Sequence, residues 1–525
     1  MAETPETGPS FNLWTEPWIT LERREGGRDE VSVEQALLGA QDYAAIHEPS
    51  PLVVAGIHRL LVAVLQGALD PRRPSDLHKL WDRGRFPESA VKEFGKRYGE
   101  RFDLFSPTAP FLQSADLPLQ PAQGDKSKTV AYLSSEIPAG TEICHYRHGS
   151  EDDQFYCPVC AAGGLAAIPA FATSGGAGIK PSINGVPPIY VLPAGDSLFA
   201  CLAASLTLPE YQPEVAAHDG DAAWWAREPL VERGREVLQV GYLHSLTFPA
   251  RRVRLHPEPL PGPCTRCGRQ SAWGVRTMVF EMGECRPKDA PFWFDPFAAY
   301  RLPGTGSKDA PTPIRPGDGK AVWREFAGLF LQASSPAESK HTRRPRVLDQ
   351  MADLEIGASM PVLPFRCVGL RTDMKAKVFE WVDAGFDVPP ALLADERAGL
   401  LASQALQFSA ECGRIISGTF GEVFRASPKR ERYRGLKARM EGDYWAALAA
   451  PFRDFVLALG SRSAGAQEAE LARWADVGVR EAQAAFQRAA AAVGDDGASL
   501  RRRVQGEDRC RMRLSKKRKE YLPNE

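Results

Sequence analysis

The sequence predicts an α+β chain: a large mixed N-terminal domain over residues 1–390, held by a four-cysteine staple, and a helical domain over 391–525. Three observations carry this. After "DVPP" (387–390) the composition turns alanine-rich, with apolar residues at three- and four-residue spacing. Between residues 114 and 300 the chain is rich in proline and glycine and reads mostly as strand and loop. Two Cys-x-x-Cys pairs, "CPVC" (157–160) and "CTRC" (264–267), stand 103 residues apart inside that stretch.

The elements follow in order. "WITLE" and "DEVSV" predict two strands joined at Gly26–Gly27, with Ser32 capping the helix that follows. A helical block then reaches about residue 100. Its most apolar part, "PLVVAGIHRLLVAVLQGAL" (51–69), is interrupted by His58, Arg59 and Gln66, so a buried helix is expected there and not a membrane span. "FDLFSPTAPFLQ" (102–113) reads as packed irregular chain. Residues 303–322 form a polar Pro/Gly loop, expected to be exposed and mobile. In the helical domain Leu436, Met440, Tyr444, Leu448, Phe452, Phe455 and Leu459 mark one helix face, with Pro451 expected to kink the helix and Gly460 to end it. Leu471, Trp474, Val477, Ala482, Phe486, Ala489 and Val493 mark another, stopped at "GDDG" (494–497). Antiparallel helices with short links make a bundle. The last 25 residues hold ten Lys/Arg against four Asp/Glu, open to two readings: a solvated, partly disordered tail, or a contact to nucleic-acid phosphates.

Charge and composition exclude some classes. Net charge is −1, so any affinity for polyanions must come from local patches. The N-terminus is polar and acidic, unlike a signal peptide, and a cytoplasmic protein is expected. Ten cysteines in a chain of this length do not form a disulfide framework; close pairs point to metal ligation or redox chemistry. Each Cys-x-x-Cys places two thiolates about one turn apart. Two such knuckles complete a closed tetrahedral site, structural because it leaves no open position, so Zn2+ through Cys157, Cys160, Cys264 and Cys267 is expected. Buried free thiols are the plain alternative, and Cys144, His145 and His148 stand near enough to substitute as ligands.

Catalytic signatures are scarce. "SGTFGEVF" (417–424) resembles a kinase glycine loop, but Ile416 stands at the first glycine and no partner motif follows. "GTGSK" (304–308) is too short for a P-loop. Neither a nucleophile elbow nor a His-Glu-x-x-His motif is present, so no catalytic residues are assigned and an enzyme is not expected. Contact surfaces are the better candidates. "FPARRVRL" (248–255) puts Arg252 and Arg254 on one strand face and Arg251 on the other, either as a solvated edge strand or as a binding surface. "ECRPKDAPFWFDPFAAYR" (284–301) and "LRTDMKAKVFEW" (370–381) set basic residues beside aromatics, with a solvated charged surface next to a packed aromatic cluster as the plain reading. "SGGAGIKPSINGVPP" (174–188) has four glycines, three prolines and one lysine, which leaves its backbone bare.

Together "FNLWTEPWI", "FSPTAPFLQ", the two distant cysteine pairs, "FATSGGAGIKPSINGVPPIYVLPAGDSLF", "LTFPARRVRL" and "FWFDPFAAYR", followed by a helical region, resemble the CasA family, the large subunits of the type I-E CRISPR surveillance complex Cascade. The resemblance spans essentially the whole chain. It implies a mixed α/β N-terminal domain stapled by zinc and a C-terminal four-helix bundle. It implies a DNA- and RNA-associated function in antiviral defence without catalysis of its own: recognition of the PAM motif in double-stranded target DNA from the minor groove, initiation of unwinding and R-loop formation, and recruitment of a helicase-nuclease. The implied partners are the backbone, handle-binding and small subunits that carry the CRISPR RNA. Residue by residue, the resemblance places Gly175, Gly176, Ala177 and Gly178 at the DNA, with Lys180 on a phosphate. Zinc at "CPVC" would anchor one end of that loop, and a tight turn near the zinc is the structural alternative. Arg286 or Lys288 stands for the family's minor-groove lysine. Asp373, Met374 and Lys375 stand for its wedge, with Met374 where glutamine is usual, or with Lys375 holding a strand phosphate. The other class left open is a stand-alone zinc-stapled nucleic-acid-binding regulatory protein.

Overall fold

The computed structural model describes residues 9–120, 127–134, 153–173, 179–213, 221–259, 261–304, 309–332, 341–372, 378–424, 430–461 and 463–522. They form two compact units. One comprises Met1–Pro316, Pro345–Ile356 and Pro364–Phe386; the other comprises Gly317–Arg344, Gly357–Leu363 and Asp387–Glu525. The units therefore follow no single cut near 390, since residues 317–344 and 357–363 cluster with the helices.

The first unit opens on the expected hairpin. Strands Ile19–Arg23 and Arg28–Val31 pair antiparallel across Gly26 and Gly27, whose φ of +93° and +88° suits glycine. Ser32 caps helix Val33–Leu38 in a full capping box with Gln35. Helix Pro51–Leu69 is the core helix, buried along most of its length. Its three polar interruptions are all partnered inside the unit. His58 Nε2 lies 2.9 Å from Ser205 Oγ, Gln66 exchanges hydrogen bonds with the backbone of Thr207 at 3.0 and 3.1 Å, and Arg59 forms a bidentate pair with Asp295 at 3.2 and 2.9 Å. Desolvation holds the His58 imidazole down at about 3, so it is neutral at physiological pH. Beyond Phe102, which ends a 3-10 turn, and Asp103, which bridges to Asn12, the stretch to 113 is irregular, and its Phe102 and Phe111 pack edge-on against Trp224.

The 114–300 region departs from the strand-and-loop expectation. Residues Pro158–Phe171 are a helix, although "PVCAAGGLAAIPAF" contains two adjacent glycines and an internal proline, Pro169. This helix lies against the core helix at close range. A Cβ on Gly56 would sit 2.7 Å from the Ala166 carbonyl oxygen, and one on Gly164 would sit 2.6 Å from Leu133 Cβ. The glycines that read as breakers are there because backbone must approach backbone. The arginine strand, Arg251–Pro259, pairs antiparallel with Trp273–Met282 (Arg251 opposite Met282, Arg254 opposite Val279). Its other edge is covered: Ser114 N donates to Val253 O at 3.0 Å, and Gln113 Oε1 accepts from Leu255 N at 2.8 Å. Strand Tyr190–Pro193 pairs with Leu363–Thr372, which also borders Val378–Val388.

The second unit contains a four-helix bundle of Glu396–Phe424, Arg430–Ser461, Ala464–Ala491 and Gly497–Tyr521. "SGTFGEVF" lies inside the first of these helices. The expected faces hold: Met440, Tyr444, Leu448, Phe452, Phe455 and Leu459 are buried, as are Trp474, Ala482 and Phe486. Trp474 Nε1 donates to Ala405 O at 3.0 Å, and Tyr444 Oη donates to Ser409 O at 2.9 Å. The second helix runs to Ser461 with Pro451 inside it, and Gly460 admits Pro389, which would lie 2.0 Å from an added Cβ. The basic terminus is not a disordered tail through residue 521 but the fourth bundle helix. Asp496 caps it by accepting from Ala498 N and Ser499 N, and Gly506, Cys510 and Leu514 are buried. With Ser499 and Tyr521, these are few small or apolar residues to face inward, too few for an apolar period to show in the sequence.

Candidate metal centre and nucleic-acid interface

The four cysteines converge. All four Sγ atoms lie within 4.8 Å of one another, with Cys157–Cys267 at 3.6 Å and Cys160–Cys264 at 3.7 Å. Four sulfurs at tetrahedral corners about 2.3 Å from Zn2+ would stand about 3.8 Å apart, so the set fits this ion. Local sequence explains the convergence. Cys157 is the N-cap of the Pro158–Phe171 helix, with Pro158 at the first helical position and Cys160 in the first turn. Cys264 and Cys267 sit on a tight knuckle, closed by Gly268 N to Cys264 O at 2.8 Å with Gly268 at φ +75°. Thr265 N bonds Phe155 O at 2.9 Å, and Cys157 N donates to Cys264 Sγ at 3.3 Å. Hydrogen bonds from Cys157 and Cys160 hold the Cys264 thiol well below its usual range. The Cys160 thiol is pushed up by its bonds to Cys157 and Cys264 and by burial. Neighbouring thiols cannot all ionise without a cation to offset their charge, and a divalent ion supplies that charge. Cys144, His145 and His148 lie outside the described residues.

The cysteine helix is also what positions the glycine-rich stretch. It runs 14 residues, about 21 Å, from Pro158 to Phe171. The cysteine cluster is therefore a helix length away from Phe171, and the tight turn offered as the alternative falls on residues outside those described. Gly175, Gly176, Ala177 and Gly178 lie outside the described residues, but the stems on both sides are described. The carbonyls left open at the C-terminus of the helix are taken up by chain from beyond the stretch. Ser182 Oγ donates to Pro169 O at 2.6 Å, Ser182 N to Ala172 O at 2.8 Å, and Tyr190 Oη to Ala170 O at 3.0 Å. Arg251 closes the stems from below: its guanidinium donates to Lys180 O at 2.8 Å, to Ala250 O at 2.7 Å and to Thr173 O. One side chain thus binds the residues flanking the bare segment on both sides.

This overturns the solvated-edge reading of "FPARRVRL". Arg251 and Arg254 are buried, and burial pulls both down to about 10. Arg252 is paired with Asp116 and with Glu281. No sequence signal distinguished these arginines from surface charges; each is held by carbonyls or acids remote in the chain.

Lys180 is half exposed, and its ammonium lies 3.1 Å from Glu236, a hydrogen bond that raises its pKa. Glu236 forms a parallel bridge with Cys285, which brings the 284–288 segment beside the stem of the glycine-rich stretch. That segment is anchored by buried Glu284, which accepts from Arg227 at 2.6 Å and from His244 at 3.0 Å. Burial works to raise the Glu284 carboxyl, but these partners outweigh it and hold it at about 2. The two basic candidates there differ. Arg286 is half buried, and its guanidinium donates to Leu238 O at 3.2 Å and to Pro291 O. Lys288 is exposed and makes no ion pair among the described residues. On the far side of the stretch, Asn184 donates to Asp295 and to Tyr190 Oη, both at 3.2 Å, tying the stretch to the buried Arg59–Asp295 pair.

Asp373, Met374 and Lys375 lie outside the described residues, between strands Leu363–Thr372 and Val378–Val388. The aromatics after them are not packed, contrary to the plain expectation: Phe379 is 51% and Trp381 43% exposed. In the 284–301 stretch the aromatics mostly are packed, with Trp293, Phe297 and Tyr300 buried.

Residues 12–485 match the model of the CRISPR-associated protein Cse1 family. A CRISPR-associated protein CasA/Cse1 from Thermus thermophilus is 31% identical over 446 residues, covering 82% of this chain and 81% of the relative. The crystal structure of Thermus thermophilus CasA superposes with a TM-score of 0.76 at 27% identity, over 96% of this chain and 99% of that one. A chain of a CRISPR RNA-guided surveillance complex shares the fold at a TM-score of 0.73 and 18% identity, over 97% of this chain and 100% of that one.

Proposed function

The chain belongs to the CRISPR-associated Cse1 family, and on that ground we propose that it is the large subunit of a type I-E CRISPR RNA-guided surveillance complex. Its partners in this reading are the backbone, handle-binding and small subunits that carry the CRISPR RNA. Its task is to check the PAM in double-stranded DNA from the minor groove, help start unwinding and R-loop formation, and recruit the helicase-nuclease. It is a recognition subunit without catalysis of its own, it works in the cytoplasm, and its four cysteines hold a structural Zn2+.

The observation that carries the reading is the family match over residues 12–485 together with the 31% identical relative. The site supports it in three ways. Thr173 and Lys180, which flank the bare stretch, are both held by Arg251, which suits backbone that must enter a narrow groove. Lys180 and Lys288 stand on neighbouring segments beside it, and Arg286 is engaged by carbonyls. Lys288 is therefore assigned the minor-groove contact and Arg286 the shaping of its turn. The Lys180–Glu236 pair is exposed and worth at most about 1 kcal/mol, so a phosphate can displace the carboxylate. The division of labour is physical: base pairing reads the long sequence, while the protein reads a short motif and the duplex shape.

Co-purification with the other subunits and a CRISPR RNA tests the assignment; a chain that stays alone when the whole set is co-expressed would count for the stand-alone regulator. Within the site, Gly176→Leu is expected to abolish preference for motif-bearing duplex. Lys180→Ala is expected to weaken motif-bearing and motif-free duplexes by the same factor, since a phosphate contact carries no sequence information. A Gly176→Leu chain that still ranks motifs as the wild type does would remove the stretch from the reading. Met374→Ala is expected to slow strand separation more than initial binding, because an apolar wedge acts by unstacking a base step; stopped-flow separates the two steps, and equal effects would remove the wedge.

A further inference from the structure

We infer that the solvent face of the C-terminal helix, Gly497–Tyr521, is a second DNA contact that binds the phosphate backbone of the duplex without reading sequence. The inference rests on the reading of the chain as a DNA-binding subunit and adds a surface remote in sequence from the glycine-rich stretch.

The helix sorts its cations by direction. Those turned toward the bundle are neutralised there: Arg513 pairs with Glu422 at 2.9 Å, Lys517 with Glu411 at 2.5 Å and Arg518 with Asp476 at 2.6 Å. Arg501, Arg502, Arg509 and Lys519 make no ion pair or hydrogen bond among the described residues, and Lys516 reaches only Glu520, at 3.8 Å. At 100° per residue Arg501, Arg509, Lys516 and Lys519 fall within about 80° of helix surface on the side away from Gly506, Cys510 and Leu514, with half-buried Arg502 at the edge of the row. They extend from Arg501 to Lys519, about 27 Å along the axis, the length of about eight base pairs. Asp508 and Glu520 border the row and leave it net positive, in a chain whose overall charge is −1.

The chemistry selects the partner. A straight row of cations matches the regular charge of a duplex backbone. Single-strand binders add aromatic platforms on which bases stack. The one aromatic of this helix, Tyr521, is stacked on Phe408 with ring centroids 4.5 Å apart and faces the bundle. The exposed non-basic residues among the cations, Gln505, Met512 and Ser515, offer no such platform.

The test is the salt dependence of duplex binding by the full chain, alone and in the assembled complex, with a motif-free duplex as probe. Each phosphate contact adds about 0.9 to the slope of log K against log salt. The triple variant Arg501→Gln, Arg509→Gln, Lys516→Gln, all exposed, is expected to lower that slope by about 2 to 3 and to weaken binding at low salt at least about tenfold. Helicity and the motif-bearing to motif-free affinity ratio should stay unchanged. An unaltered slope overturns the inference, as does a variant that loses the partner subunits while its slope is unaltered, which would make this a protein-docking face. A wild-type chain without motif preference but with the expected loss of slope in the variant would sink the glycine-stretch reading and leave this surface standing.

Discussion

Cys264→Ser is expected to empty the four-cysteine centre and to destabilise the first unit more than any other single substitution considered. Freshly purified wild-type chain should contain about one zinc, and the variant close to none, because three remaining thiolates do not close a tetrahedral site. Structural zinc sites of this kind bind with about 10–16 kcal/mol at neutral pH, and that free energy belongs to folding. Even if half of it survives as weaker contacts, the loss is about 5 kcal/mol or more. At about 1.4 °C per kcal/mol for a unit of this size, the melting point should fall by about 7 °C or more. The effect should propagate, since the same site holds the N-terminus of the helix that carries the glycine-rich stretch at its other end. Elemental analysis and thermal melting with and without a chelator check this. Wild-type protein that melts at the same temperature after chelation, with its metal shown to be gone, would reduce the site to a cluster of buried thiols.

Asp295→Ala is expected to cost about 3–5 kcal/mol, measured as a shift of the urea unfolding midpoint. The carboxylate is fully buried and Arg59 nearly so. Removing it leaves a guanidinium deep in the core beside Tyr190 and Phe297, with no anion to offset its desolvation. Asn184 and the Phe297 N–H lose an acceptor in the same step. The double variant Arg59→Met, Asp295→Leu should recover most of the loss, because two apolar side chains no longer require burial of a charge. Motif preference should fall in Asp295→Ala and return only in part in the double variant, since Asn184 still lacks its carboxylate. A cost near that of a surface substitution, about 0.5 kcal/mol, would mean that the pair is open to water.

Much of this was legible. The Gly26–Gly27 hairpin, the Ser32 cap, the buried 51–69 helix, the two cysteine pairs and two bundle faces all follow from local rules: a period, a cap, a pair spacing. The failures share one cause. The Pro158–Phe171 helix was hidden because Gly163 and Gly164 count against helix unless a neighbour needs the room, and those neighbours, Val53 on the core helix and Leu133, are remote in the chain. The basic terminus looked like a tail because a bundle that already has three helices needs only a thin apolar seam from the fourth. Arg251 and Arg254 looked like surface because a charged side chain gives no sign of being buried until its partners are placed.

The sequence by itself determined which residues form helices with apolar faces, which cysteines pair up, and that a bare-backbone stretch follows the first pair. Those properties depend on neighbours a few positions away, and propensity, capping and periodicity act at that range. Only the tertiary structure decided what holds the bare stretch: Arg251 binding Thr173 and Lys180 across 71 to 78 positions, Ser182 and Tyr190 closing the helix end, and Glu236 drawing the 284–288 segment alongside. Each of those bonds satisfies a buried polar group, and a buried polar group must find a partner wherever the fold supplies one. That requirement selects partners by position in space, which no local pattern in the chain encodes.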